Sequence, residues 1–241
     1  MFCQDIFLEV FFLLCLFSFF LLAFSILVNS QSLESGLSSW ERGHYSTAIR
    51  AWIEIAKSGN ASAENNIGYA YEKGLGARQD YLEALKRYKN ASKLGSFEAK
   101  HNLAMLYFNG YGVERNYSEA FKLFNEADKG KIPEAQFMIG KMLNEGIGVP
   151  KNSKQALNFF LKSAKNNYAN SQFMVGYLFL SGEGGISDPF RARVWAEIAD
   201  TNKYPDAKLL AEYSEYKLDE KKIAKAKLLA STCIKTNFID C

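Results

Sequence analysis

The sequence predicts an all-α fold: an α-solenoid of stacked helix-turn-helix repeats with a 36-residue period, preceded by an N-terminal hydrophobic helix. Three observations carry this. The first is internal self-similarity. Shifting the chain by 36 residues aligns Gly74 with Gly110, Gly146 and Gly182, and Ala84 with Ala120, Ala156 and Ala192, with no gap across four units. A fixed period of this size marks an array of like supersecondary units, none of which buries its apolar face alone. The second is helical spacing within a unit: Ala99, Leu103, Leu106 and Tyr107 share one stripe. The third is a run of 19 uncharged residues, Val10 to Val28, unlike anything later in the chain.

Each unit reads as two helices. In the central copy the first helix ends at Gly110-Tyr111-Gly112, where two residues without side chains break the helix and admit left-handed backbone. The second helix begins at a polar column, Asp80, Asn116, Asn152 and Asp188, the residue types that cap helix N-termini. Glu83, Glu119 and Gln155 stand three positions later and predict a reciprocal capping box. In the fourth unit Pro189 follows Asp188, at the first helical position where its missing N–H costs nothing. Small alanines at both ends of the second helix allow close packing, and Tyr88, Phe124 and Phe160 fill the space between layers.

Residues 1–30 are either a cleaved signal peptide, with a site near Val28-Asn29-Ser30, or an uncleaved membrane anchor. The absence of Lys and Arg there argues against a standard signal peptide, and both readings put the repeats outside the cytoplasm, periplasmic or secreted. Residues 32–60 form an abbreviated first unit, with a helix expected over 46–57 that keeps Ala48 and Trp52 in register. Full repeats follow over 61–96, 97–132, 133–168 and 169–204, the last with a stretched loop over Gly182–Ile186. Residues 205–241 are read as capping helices, over 205–216 and 219–233, because terminal units lack a neighbour on one side.

The run A-x-x-x-[LI]-[GA]-x-x-Y-x-x-G-x-G-[VA], followed by [DN]-x-x-x-A-x-x-x-[YF], resembles the Sel-one-like repeat, a relative of the tetratricopeptide repeat. The match spans about residues 32 to 233, with Ala104, Leu143 and Ala77 departing from the usual glycine, tyrosine and valine. The resemblance implies a right-handed solenoid whose first helices line a concave face. It implies binding of another protein or peptide, with relatives acting in envelope, host-interaction and membrane-protein quality-control assemblies.

The search for chemistry returns little. The two histidines, His44 and His101, lie in different units and no Cys-x-x-Cys occurs, so neither a metal site nor any other cofactor is predicted. Ser214-x-x-Lys217 matches one motif of penicillin-recognising enzymes, but its companion motifs are absent. The Gly-x-Gly elements follow helices, not strands, and no Lys-Ser/Thr follows them, which excludes phosphate loops. With Asp5 and Glu9 set aside, 29 Lys and Arg face 24 Asp and Glu without a basic cluster, so nucleic acid is not an expected partner. Cys233 and Cys241 are candidates for a disulfide if the chain turns near Thr236-Asn237.

Residues left over from packing in the first helices form the candidate partner site: Asn65, Tyr69, His101, Met105, Phe108, Phe137, Lys141, Phe173, Tyr177 and Leu180. Phe137 and Phe173 carry two readings, groove anchors for a peptide or packing against the neighbouring unit. The expected function is a non-enzymatic scaffold or adaptor. The alternative is an enzyme-like envelope protein acting on cell-wall fragments or β-lactams.

Overall fold

The computed structural model describes residues 33–238; the segment expected over residues 1–30 and the terminal Cys241 lie outside them. Twelve helices and no strand occur among the described residues. They are α1 (residues 33–41), α2 (Tyr45–Ala56), α3 (Ala61–Lys73), α4 (Tyr81–Lys93), α5 (Phe97–Asn109) and α6 (Tyr117–Asp128). After these come α7 (Pro133–Glu145), α8 (Ser153–Lys165), α9 (Ala169–Ser181), α10 (Pro189–Thr201), α11 (Ala207–Glu215) and α12 (Glu220–Lys235). They group into two compact units, α1–α4 and α5–α12, divided after Ser96. None of these helices is long and apolar enough to cross a membrane.

The second helices begin where the polar column places them. Asp80, Asn116, Asn152 and Asp188 each accept a backbone N–H from the first turn of the helix that follows. The expected capping box is only half formed. The N–H of each cap residue donates to a carbonyl of the preceding helix instead: Asp80 to Tyr71, Asn116 to Tyr107, Asn152 to Leu143 and Asp188 to Phe179, at 2.7–3.0 Å. The turn between the helices brings that carbonyl into reach, so no donor is left for the acidic residue to satisfy. Glu83 is thereby released to pair with Arg87 at 2.7 Å.

The loops differ in one further respect from expectation. The segment after Gly182 is not longer than its counterparts but reshaped. Gly182 keeps the left-handed cap of α9, at φ +78°, while Gly184 leaves that region and Gly185 takes φ +144°. At the junctions between units the chain again turns left-handed, at Gly59, Gly95, Lys131, Asn167 and Lys203, a 36-residue column that begins with glycine and ends without it.

In the first unit Ala48, Trp52, Ile55, Ala63 and Ile67 form the core, and Tyr88 is fully buried over Gly68. Burial, and then the Glu72 carboxylate that accepts the Tyr88 hydroxyl proton at 2.8 Å, hold this phenol well above its ordinary pKa. In the second unit Phe124 and Phe160 occupy the same register, each fully buried. Burying such a ring is worth roughly 1.5–3 kcal/mol. Ala104, in place of the usual glycine, is fully buried and so accommodated.

One column near the start of the first helices is held by polar contacts that differ from unit to unit, within a unit or to the one before. Glu64 meets Arg87 at 3.2 Å, and Lys100 meets Glu126 at 3.2 Å. Gln136 donates to Asp128 at 2.7 Å and accepts from Asn166, and Gln172 bonds to Asn167 and Asn202. These buried and half-buried polar groups are satisfied, as burial requires.

The C-terminal cap starts and ends close to expectation, with α11 shorter than residues 205–216 and α12 a turn-fraction longer than 219–233. The chain turns after it: Asn237 and Phe238 are left-handed, and the Phe238 N–H reaches back to Cys233 O at 2.7 Å. The Phe238 ring then lies parallel to Trp195, with centroids 5.9 Å apart. Cys233 is fully buried and disulfide-bonded, and the other three cysteines all lie outside the described residues.

Candidate functional site

The first helices of the second unit, α5, α7, α9 and α11, bury one face. Ala99, Ala135, Ser171 and Ala207 are fully buried at their starts, and Leu106, Met142 and Leu178 lie buried further along. That face being taken, a row of side chains a few positions away stays at least partly accessible. His101, Met105, Phe108, Phe137, Lys141, Phe173 and Leu180 are half-buried, and Tyr177 is exposed.

The structure separates the roles of these residues. Phe137 lies between Phe160, at 5.6 Å between ring centroids, and Tyr168, at 5.5 Å. Phe173, one period later, stacks on Tyr204 at 4.5 Å and 20°. Both rings are therefore packed on one side and half open on the other. Phe108 meets the edge of Tyr117 at 5.2 Å, and the His101 ring is tilted against Phe124 at 5.6 Å. Tyr177 turns its hydroxyl towards Glu183 at 3.5 Å. Lys141, one helical turn beyond Phe137, has no ion-pair partner among the described residues.

Tyr168 and Tyr204 were not anticipated. They share one column of the repeat, just ahead of α9 and α11, but that column reads Ser96, Ile132, Tyr168 and Tyr204, so it carries no consistent residue type. Burial pushes the phenol of Tyr168 up, helped by Glu134. Burial does the same for Tyr204, helped by Asp206. Each aromatic pair thus sits beside a carboxylate.

In the first unit Asn65 is half-buried and Tyr69 is 40% exposed. Tyr69 belongs to an aromatic group around Trp40, which lies 6.0 Å from it, 4.6 Å from Tyr45 and 5.3 Å from Trp52. The Lys73 ammonium stands 5.3 Å above the Tyr69 ring. Rings with one open face, edged by single charges, suit contact with apolar and charged side chains of a peptide better than bond-making chemistry.

The motif Ser214-x-x-Lys217 offers no nucleophile to solvent: Ser214 is fully buried and its hydroxyl donates to the Ala211 carbonyl at 2.7 Å. No group of three His, Cys, Asp or Glu side chains able to hold a metal occurs among the described residues. A cavity of about 420 Å³ opens elsewhere, mainly between α8, α10 and α12; Cys233 lines it, but none of the residues expected to bind a partner does.

The Sel1 repeat profile matches residues 61–96, 97–127, 133–168 and 169–199. Among solved structures, a Sel1 repeat protein from Oxalobacter formigenes is similar at 25% identity and a TM-score of 0.70, covering 85% of this chain and 88% of that one. The protective antigen c5321 of uropathogenic Escherichia coli, which displays the same type of fold, aligns at 22% identity and a TM-score of 0.74. That alignment covers 87% of this chain and 46% of the antigen. Immunity protein Pa5087 from Pseudomonas aeruginosa shares the fold at 14% identity and a TM-score of 0.52, over 88% of this chain and 83% of its own. No curated protein matches the sequence.

Proposed function

We propose, from the premise that this chain belongs to the Sel1 repeat family, that it is a non-enzymatic adaptor holding a partner protein or peptide along the accessible edge of its first helices. Sel1 repeat proteins generally mediate protein–protein interaction, and the family is typically a scaffold rather than an enzyme. The observation that carries the reading here is the repeated aromatic pair. Phe137 with Tyr168, and Phe173 with Tyr204, present half-open rings exactly one period apart on successive first helices. Such spacing suits an extended peptide that uses the same kind of contact twice. Lys141 and Tyr177, one turn further along their helices, add a cation and an exposed phenol beside them. The right-handed superhelix with a concave groove, expected from the family resemblance, is part of this proposal.

The test is photo-crosslinking in the native host from a probe placed at Tyr177. We expect one discrete protein adduct, lost when Phe137, Phe173 and Lys141 are replaced by alanine in a variant that still melts cooperatively. An unchanged adduct pattern would remove recognition from the first helices.

The location belongs to the same proposal: the repeats act outside the cytoplasm, exported or anchored through residues 1–30. The disulfide at Cys233 supports this, because such bonds persist in oxidising compartments and are rare in the cytosol. The partner we assign is Cys241, eight residues on, since the chain reverses at Asn237 and Phe238. Peptide mapping of the unreduced protein is expected to recover a Cys233–Cys241 linked fragment. A fragment linking Cys233 to Cys3 or Cys15 would refute the pairing, and would also show that residues 1–30 are retained. The likeness to a protective antigen of a uropathogenic strain is in keeping with an envelope or host-facing role.

A further inference from the structure

The cavity lies mainly between α8, α10 and α12, on the second helices and the terminal cap, with Phe179 of the first helix α9 closing one side. Its floor is apolar. Phe179, Val194 and Trp195 are nearly buried there, and Leu229 closes it from α12. Its rim is cationic: Lys162, Lys165 and Arg191 all line it, and no carboxylate does among the described residues. The Asn158 amide adds a neutral polar group.

The cations are not equivalent. Lys162 reaches Asp128 at 3.4 Å and stands 4.6 Å over the Phe159 ring. Arg191 reaches Asp188 at 3.5 Å and lies 5.4 Å from the Phe179 ring centroid. Lys165 has no ion-pair partner among the described residues. Both paired cations keep more than half of their side-chain surface exposed, so their ion pairs are weak and exchange readily with another anion.

A volume of about 420 Å³ falls within the usual range of ligand sites, which are mostly apolar with a few placed polar groups. The combination of an aromatic floor and an all-cationic rim selects for two features in one ligand: an apolar body and negative charge on both sides of it. We propose that this cavity is a second docking site, taking an aromatic side chain flanked by carboxylates on an acidic segment of a partner polypeptide. The aromatic ring enters against Trp195 and Phe179, and the flanking carboxylates meet Lys165, Lys162 and Arg191. The site stands apart from the first-helix row and does not depend on it.

The test uses the full chain and a fluorescent blocked pentapeptide with one Phe between two Glu pairs, and reads the indole N–H resonance of Trp195 by NMR. We expect saturable binding that shifts the Trp195 signal and weakens with added salt. The Lys162→Glu, Lys165→Glu double variant is expected to lose at least ~10-fold in affinity, because opposed charges at the rim become like charges. Both substitutions are at exposed positions, and the Trp195 signal of the unliganded variant checks that the floor is intact. The Phe→Ala peptide should fail to bind. Four outcomes overturn the proposal. One is equal binding of a Gln-flanked peptide. A second is an unchanged affinity in the double variant. A third is binding of anionic vesicles without binding of the peptide, which would make the site a lipid site. The last is binding only after residues 239–241 are removed, which would make the chain's own end the occupant.

Discussion

Gly148→Ala is expected to destabilise the protein by about 2–5 kcal/mol, against about 1–2 kcal/mol for Gly146→Ala. Both glycines are left-handed, at φ +67° and +73°, so alanine is strained at either position. Their surroundings differ. A Cβ on Gly146 would meet Lys151 at 3.4 Å, an ordinary contact that a surface side chain relieves. A Cβ on Gly148 would lie 2.4 Å from the Cβ of Tyr117 and 3.1 Å from its carbonyl carbon. Tyr117 is the first residue of α6, so the second glycine is where one unit's loop rests on the preceding unit's second helix. An array is held together by such neighbour interfaces, and damage at one weakens the coupling across it. Urea denaturation of both variants checks this. Equal midpoints would mean that the loop moves away freely and that the interface is soft.

Phe160→Ala is expected to cost about 3–5 kcal/mol, the range for removing a large aromatic side chain from a packed core. Phe160 is fully buried. It sits over Gly140, where an added Cβ would stand 2.8 Å from its ring, so helices α7 and α8 approach as closely as their backbones allow. Phe160 also supports Phe137 from behind, at 5.6 Å. The variant should therefore lose both stability and the partner adduct, whereas Phe137→Ala should lose the adduct with a smaller change in melting temperature. Thermal melts alongside the crosslinking assay separate the two. A Phe160→Ala protein that melts with wild type would mean that the α7–α8 interface repacks and that Phe137 stands without support.

The sequence by itself determined the repeat period, the two helices per unit, their polar caps and the glycine that ends α3, α5, α7 and α9. These depend on local physics: the spacing of apolar residues, the side-chain oxygen of Asp or Asn at a helix start, and a backbone conformation that glycine adopts without strain. It also pointed to Phe137, Phe173 and Tyr177, because apolar residues outside the packing stripe stand out against a regular pattern. Where legibility stopped, the deciding contact was between residues far apart in the chain. The reciprocal half of the capping box gave way to carbonyls nine residues upstream. The left-handed junctions at Lys131, Asn167 and Lys203 carry no glycine, so no residue type in the sequence marked them. Tyr168 and Tyr204 became parts of the aromatic pairs only once α7 and α9 had been placed beside them. The cationic cavity joins residues of α8, α9, α10 and α12, and its three rim cations, Lys162, Lys165 and Arg191, share no column of the repeat. Only packing in three dimensions brings those charges to one rim, which is why tertiary structure alone decided that surface.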